Sequence, residues 1–152
     1  MKKSLVVYFS HSGNTAYVAN EIKKQTGSDI VELVACKAYP KEYKTCTEVA
    51  LKEKRDRARP HIKYEIEVSS YDTIYLGYPN WWSSAPMIVF SFLEKYQLQG
   101  NVIKPFVTHG GGGVANCVSD IVQVLPMCNV EEALVIYDKD IEKCEELVEK
   151  WI

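Results

Sequence analysis

The chain has 152 residues, 47% of them hydrophobic and 25% charged, which is enough for one domain over residues 1–152 with a core of its own. Its 18 lysines and arginines against 20 aspartates and glutamates give a net charge of −2, which argues against a broad nucleic-acid-binding surface. No stretch of 18 apolar residues and no signal-peptide pattern occurs, so we expect a cytoplasmic protein without membrane insertion.

The first 27 residues predict a strand, a polar turn and a helix. Residues 5–9, LVVYF, form a continuous apolar run, which is typical of a parallel strand buried on both faces. Val18, Ala19 and Ile22 then follow helical spacing, and Gly27 stands where a helix ends. This is the first half of a β-α-β unit.

The same alternation continues to the end of the chain. Further strands are predicted at 29–34, 71–78, 102–109 and 133–137, and further helices at about 41–57, 85–96, 114–125 and 140–152. Five strands alternating with helices predict an α/β fold, a doubly wound parallel sheet with helices on both faces.

The helix predicted at 41–57 ends in a basic segment, KEKRDRAR at 52–59. Its positive charges suit the carboxyl end of a helix dipole, so the segment could be a solvated helix end. Alternatively, it could dock an acidic partner or the phosphate of a nicotinamide nucleotide.

The five cysteines are scattered and odd in number, and they form no C-x-x-C pair and no metal spacing with the histidines. We therefore expect reduced, mostly packed thiols and no metal site.

Ligands of doubly wound sheets bind beyond the carboxyl ends of the strands. Three unusual loops follow predicted strands, at 10–15, 78–84 and 108–113. We therefore expect the functional site in these loops.

The first loop, SHSGNT, lies directly before a helix. Helix amino-terminal amides favour phosphate, side chains of Ser10, Ser12, Asn14 and Thr15 add donors, and Gly13 permits close approach. An ordinary helix cap by Ser12 or Asn14 is the alternative. The chain has no Walker loop and no cysteine with an arginine six residues later, which argues against nucleotide hydrolysis and cysteine-phosphatase chemistry.

The second loop, YPNWWSSAP at 78–86, contains the adjacent Trp81 and Trp82. Core packing could account for one tryptophan, but two neighbours do not readily both point into the core. A planar conjugated ring stacked on one of them would cover its exposed surface.

The third loop, THGGGG at 108–113, leaves the main chain almost free of side chains. Such backbone offers amide donors to the carbonyls and nitrogens of a ring. Gly110, Gly112 and Ala115 also fit the dinucleotide pattern G-x-G-x-x-A, with Asp138 further along the chain, as a weaker alternative.

Together, in this order and over essentially the whole chain, the three loops resemble those of the flavodoxin family. The resemblance implies a sheet order of 2-1-3-4-5 and flavin mononucleotide (FMN), with its phosphate on residues 10–15 and its ring between residues 79–83 and 108–113. It implies Trp82 as the stacking residue, and His109 with the amides of Gly110 and Gly111 at the polar edge of the ring. The implied cofactor-binding residues are Ser10, His11, Ser12, Gly13, Asn14, Thr15, Pro79, Asn80, Trp81, Trp82, Ser83, Thr108, His109, Gly110 and Gly111. No catalytic residue is assigned.

The resemblance implies electron transfer to a redox partner protein. Flavodoxins often have glycine after the stacking tryptophan, where a peptide flip stabilises the semiquinone, but this chain has Ser83 and is also nearly neutral. These two differences argue against one-electron transfer. The alternative, which the basic segment at 52–59 and His109 favour, is an FMN-dependent NAD(P)H oxidoreductase that reduces a quinone or another small electron acceptor. A binding module that uses the fold without flavin is the third hypothesis.

Overall fold

Six parallel strands form one sheet in this computed structural model, which describes residues 3–152. The strands are β1 (Ser4–Tyr8), β2 (Asp29–Glu32), β3 (Thr73–Pro79), β4 (Val102–His109), β5 (Asn129–Val130) and β6 (Leu134–Tyr137). The prediction of one domain over 1–152 includes Met1 and Lys2, which lie outside the described residues.

The sheet order is β2-β1-β3-β4-β5, and β6 also pairs with β4. This confirms the predicted order and the α/β fold. The last strand position is divided, because β5 pairs with residues 102–103 at the start of β4 whereas β6 pairs with residues 106–109. The strand predicted at 133–137 corresponds to β6, and the two-residue β5 was not predicted.

Five α-helices flank the sheet in the described part of the chain: α1 (Asn14–Thr26), α2 (Tyr43–Asp56), α3 (Met87–Tyr96), α4 (Ser119–Val122) and α5 (Cys144–Trp151). The 3-10 helix Asp138–Lys143 precedes α5, so the helix predicted at 140–152 begins in a tighter form. Gly27 ends α1 with a φ of 72°, as predicted.

The helix predicted at 114–125 was wrong in extent, because only the four residues of α4 are α-helical. Ala115 has a positive φ of 41°, and the Asn116 amide donates to the Ser83 carbonyl, 2.9 Å away, rather than to a helical partner. The apolar spacing that suggested a helix still places Cys117, Ile121 and Leu125 in the core. A contact with another loop therefore overrides the local helical pattern.

The core lies on both faces of the sheet, because consecutive strand residues point to opposite sides. Leu5 and Val7 of β1 pack in the cluster that contains residues of α3 and α4, whereas Val6 packs in the cluster that contains residues of α1 and α5. Coverage of both faces leaves the carboxyl edge of the sheet as the place where loops can form a cavity.

All five cysteines are free thiols, and Cys46, Cys117 and Cys144 are buried. Burial raises the pKa of Cys117 to about 12 and that of Cys144 to about 11, so these two remain protonated at neutral pH. No helix within residues 3–152 combines the length and the apolar character that crossing a membrane requires. In the same range, no group of three or more His, Cys, Asp and Glu side chains could hold a metal ion.

We expect Gly77→Ala to lower the free energy of unfolding by about 3 kcal/mol or more, measured by urea denaturation. Gly77 lies opposite Phe106 in the register of β3 and β4, and an added methyl group would overlap the buried Phe106 ring. Gly27→Ala is the control, since its methyl group would meet open space and the cost is the positive φ alone, about 1 kcal/mol. Equal losses for the two variants would contradict the packing argument.

Candidate functional site

A cavity of about 550 Å³ lies at the carboxyl edge of the sheet. The first loop contributes residues 11–12 to its lining, the second contributes 79–82, and the third contributes 108–110. The structure therefore brings together the three loops that the sequence predicted. One face of α2 and Asp138, which directly follows β6, complete the walls.

The first loop enters α1 through Gly13, whose φ of 103° is a conformation that other residues rarely adopt. The Ser10 hydroxyl accepts a hydrogen bond from the Ala16 amide at 3.1 Å and so caps the first turn. The cap proposed for Ser12 or Asn14 was therefore wrong, because the capping oxygen comes from farther back in the loop.

The amides of Asn14 and Thr15 remain as donors at the start of α1. Both stand in the first turn, where a helix provides no acceptor for amide groups. The Ser12 side chain beside them is exposed and lines the cavity. This arrangement suits an anion, since the partial positive charge of the helix end acts in the same place.

Thr15 and Thr108 join the first loop to the third. Their hydroxyl oxygens are 2.7 Å apart, and the two residues are 2% and 3% exposed. One hydroxyl donates to the other, and a buried polar group of this kind requires such a partner. The pair fixes the distance between the start of α1 and the end of β4.

His11 lies at the rim of the first loop. Its Nε2 donates to the Pro40 carbonyl at 2.8 Å, and its ring centre is 6.0 Å from that of Trp81. His11 thereby connects the first loop to the segment before α2.

The two neighbouring tryptophans have different environments, as expected. Trp81 is half-buried and makes edge contacts with Phe9 and Tyr39, with ring centres 5.1 and 5.2 Å apart. Trp82 is 45% exposed, and its indole Nε1 donates to the Thr47 carbonyl of α2 at 2.9 Å. Trp81 therefore anchors the second loop, whereas Trp82 offers ring surface to the cavity.

Tyr39 connects this aromatic group to α2, because its hydroxyl donates to a Glu53 carboxylate oxygen at 2.7 Å. Burial raises the pKa of Tyr39, and the bond to Glu53 raises it further, so the phenol stays protonated. Burial also raises the pKa of Glu53. This pair connects the second loop to α2, and neither residue lines the cavity.

Trp82 and Ser83 form a two-residue turn. The Trp81 amide donates to the Ser84 carbonyl at 2.9 Å, and the Ser84 amide donates back at 3.2 Å. The φ angles of 55° and 68° at the two central residues are those of a type I′ turn, where Asn-Gly is usual. Each of these residues carries strain of about 1 kcal/mol.

Asn80 links the second loop to the third. Its Oδ1 accepts from the Ser83 amide at 2.9 Å, and its Nδ2 donates to the Gly113 carbonyl at 2.9 Å. A single side chain thus sets the spacing between two walls of the cavity.

His109 holds the third loop. Its Nδ1 accepts from the amides of Gly111 and Gly113, both at 3.1 Å, which leaves the proton of a neutral ring on Nε2. The Gly111 amide, expected to meet a bound ring, is therefore engaged within the chain, and the Gly110 amide is the better candidate. Because only the four-residue α4 follows these glycines, the dinucleotide pattern lacks the helix that it requires.

The cavity is also lined by residues that the sequence did not indicate as FMN-binding. Tyr43, Thr47 and Ala50 form one face of α2, and their spacing of four and three residues was the available signal. Asp138 stands beside Gly110, where an added methyl group would come within 3.5 Å of its carboxylate. The helical pattern alone could not show that this face of α2 meets the site.

Three of the five lysines and arginines at 52–59 have partners within the chain. Lys52 binds Asp56 at 2.7 Å, and Arg59 binds Glu94. Lys54 donates to the Trp82 carbonyl. These contacts favour a solvated helix end over a docking surface.

Comparisons with known proteins agree with this geometry. The sequence model of the family described as Flavodoxin matches residues 3–152, whereas no curated protein matches the chain. A proposed flavoprotein from Bacteroides eggerthii is 28% identical with a TM-score of 0.79, covering 98% of this chain and 99% of its own. One from Bacteroides uniformis is 25% identical with a TM-score of 0.83, over 97% and 98% of the two chains. The flavoprotein from Lactobacillus acidophilus in complex with FMN is 23% identical, with a TM-score of 0.76 over 94% and 98%.

We expect Thr15→Val to lower the free energy of unfolding by about 1–3 kcal/mol, because it leaves the buried Thr108 hydroxyl without a partner. In the double variant Thr15→Val/Thr108→Val both polar groups are absent, so the loss should be smaller than the sum of the single losses. Urea denaturation of the unaltered protein, the single variants Thr15→Val and Thr108→Val and the double variant measures this coupling. Strict additivity of the two single losses would contradict it.

We expect His109→Ala to accelerate amide hydrogen exchange at Gly111 and Gly113 by about tenfold or more, since two amides lose their acceptor. His109→Asn is the matched control, because its side-chain oxygen can take the position of Nδ1. NMR measures both rates, and equal acceleration in the two variants would show that the acceptor does not hold the loop.

Proposed function

This chain belongs to the flavodoxin family, and we propose that it binds FMN in the cavity at the carboxyl edge of the sheet and transfers electrons. One observation carries the proposal: the turn before α1, the exposed Trp82 and the glycine loop surround a single cavity of about 550 Å³. That volume is within the range of cavities that hold ligands of this size.

The phosphate of FMN fits the start of α1. The amides of Asn14 and Thr15 are unpaired by the helix, Gly13 has no side chain to obstruct them, and the Ser12 hydroxyl is exposed. No lysine or arginine lines the cavity among the described residues, so backbone dipoles supply the attraction. Such a site binds a phosphate and leaves it intact.

The flavin ring fits the other end of the cavity. Trp82 offers a partly exposed indole, and the glycine loop with His109 forms another part of the wall. The Gly110 amide is available for a polar atom of the ring. Asn80 joins the two walls and His109 closes the glycine loop on itself, so the site is largely formed before the ligand arrives.

FMN supplies the redox chemistry when it is bound, whereas the protein binds, orients and partly shields it. We assign the chain a carrier role with a redox partner protein, since the Flavodoxin family model matches residues 3–152. The alternative, an FMN-dependent NAD(P)H oxidoreductase, has less support, because three of the five basic residues that could hold a nicotinamide phosphate are already paired within the chain.

Reconstitution with FMN followed by anaerobic electron-transfer assays tests the function. We expect one FMN per chain, reduction by dithionite, and electron delivery from the reduced protein to cytochrome c, with free FMN as the control. NADH and NADPH alone should leave the bound flavin oxidised. Rapid bleaching by either nucleotide would favour the oxidoreductase, and absence of FMN binding would overturn both functions.

We expect Trp82→Ala to weaken FMN binding by about 1–3 kcal/mol, or about 5- to 150-fold, because the ring loses its aromatic contact. Trp82→Phe retains a stacking surface and should lose less. Quenching of flavin fluorescence measures both dissociation constants. Unchanged affinity in Trp82→Ala would show that the ring does not stack there.

A further inference from the structure

The Trp82–Ser83 peptide group is held at both ends by side chains. Its carbonyl accepts from the Lys54 ammonium of α2, and its amide donates to Asn80 Oδ1 at 2.9 Å. Rotation of this peptide would break both hydrogen bonds. One of them involves a charged donor, which is the stronger kind.

This peptide lies between two residues with positive φ, so it depends on outside support. Isolated Trp and Ser residues prefer negative φ, whereas the turn requires 55° and 68°. Neighbouring contacts must therefore hold the conformation. Besides Lys54 and Asn80, the Asn116 amide donates to the Ser83 carbonyl at 2.9 Å.

The Lys54 contact also determines where the carbonyl points. Trp82 lines the cavity, but Lys54 does not, so the carbonyl is engaged by a group outside the cavity. A carbonyl that accepts from an ammonium group is a poor acceptor for anything in the cavity. Hydrogen bonds to ring nitrogens tune the redox properties of a flavin. A Trp82 carbonyl that is fixed by Lys54 cannot form such a bond with the ring.

We propose that Lys54 and Asn80 are positioning residues that keep the Trp82–Ser83 peptide in one orientation, with its carbonyl directed away from the cavity, in every redox state of the bound cofactor. This inference rests on the proposed function where it concerns the flavin. The clamp itself exists in the ligand-free chain. Its consequence is that the one-electron-reduced flavin gains no hydrogen bond from this carbonyl.

The matched pair Lys54→Met and Lys52→Met tests the clamp. Both lysines lie on α2 and both changes remove one positive charge, but Lys52 is 80% exposed and pairs only with Asp56. In the ligand-free protein we expect Lys54→Met to accelerate hydrogen exchange at the Ser83 amide by about tenfold, with no change in Lys52→Met. Equal rates in the two variants would overturn the clamp.

The second measurement uses the FMN-loaded proteins and stepwise anaerobic reduction with dithionite, which supplies the electrons while the solvent supplies the protons. We expect Lys54→Met to increase the share of one-electron-reduced flavin at half-reduction, and Lys52→Met and the charge-conserving Lys54→Arg to match the unaltered protein. An equal share in all four proteins would overturn the effect on the flavin. Failure of the unaltered protein to bind FMN would overturn the proposed function instead, and the exchange measurement would still decide the clamp.

Discussion

Burial of the parallel sheet on both faces is the constraint on which the rest of the structure depends. α1 and α5 cover one face, and α3 and α4 contribute to the core on the other, so strand residues on both sides contact the core. Only the edges remain open for ligands. Because every strand is parallel, the loops that follow β1, β3 and β4 meet at one edge, and the cavity forms there.

Hydrogen bonds between side chains and distant backbone then shape this edge. Thr15 and Thr108 join the first loop to the third, and Asn80 joins the second to the third. His109 closes the glycine loop on itself through two amides. Loops rich in glycine would otherwise sample many conformations, so these few bonds convert them into walls of fixed spacing.

Helix α2 holds the second loop of the site in its conformation. Thr47 accepts from the Trp82 indole and Lys54 donates to the Trp82 carbonyl, so the helix controls both the ring and the peptide of the same residue. The strain of two positive φ angles is thereby balanced by contacts with α2, Asn80 and Asn116. Lys54, which the sequence pattern alone would place on a solvated helix end, thus stabilises the second loop at the cavity.

The sequence by itself determined five of the six strands described, their order along the chain and the three loops of the site, because an apolar run or a cluster of small polar residues shapes the backbone locally. It also indicated that Trp81 and Trp82 occupy different environments. Only the tertiary structure decided that Ser10 caps α1, that Lys54 holds the second loop, and that the 114–125 segment keeps four helical residues. Each of these depends on a partner elsewhere in the fold, such as the Ser83 carbonyl for Asn116, and local patterns carry no information about which distant groups will meet.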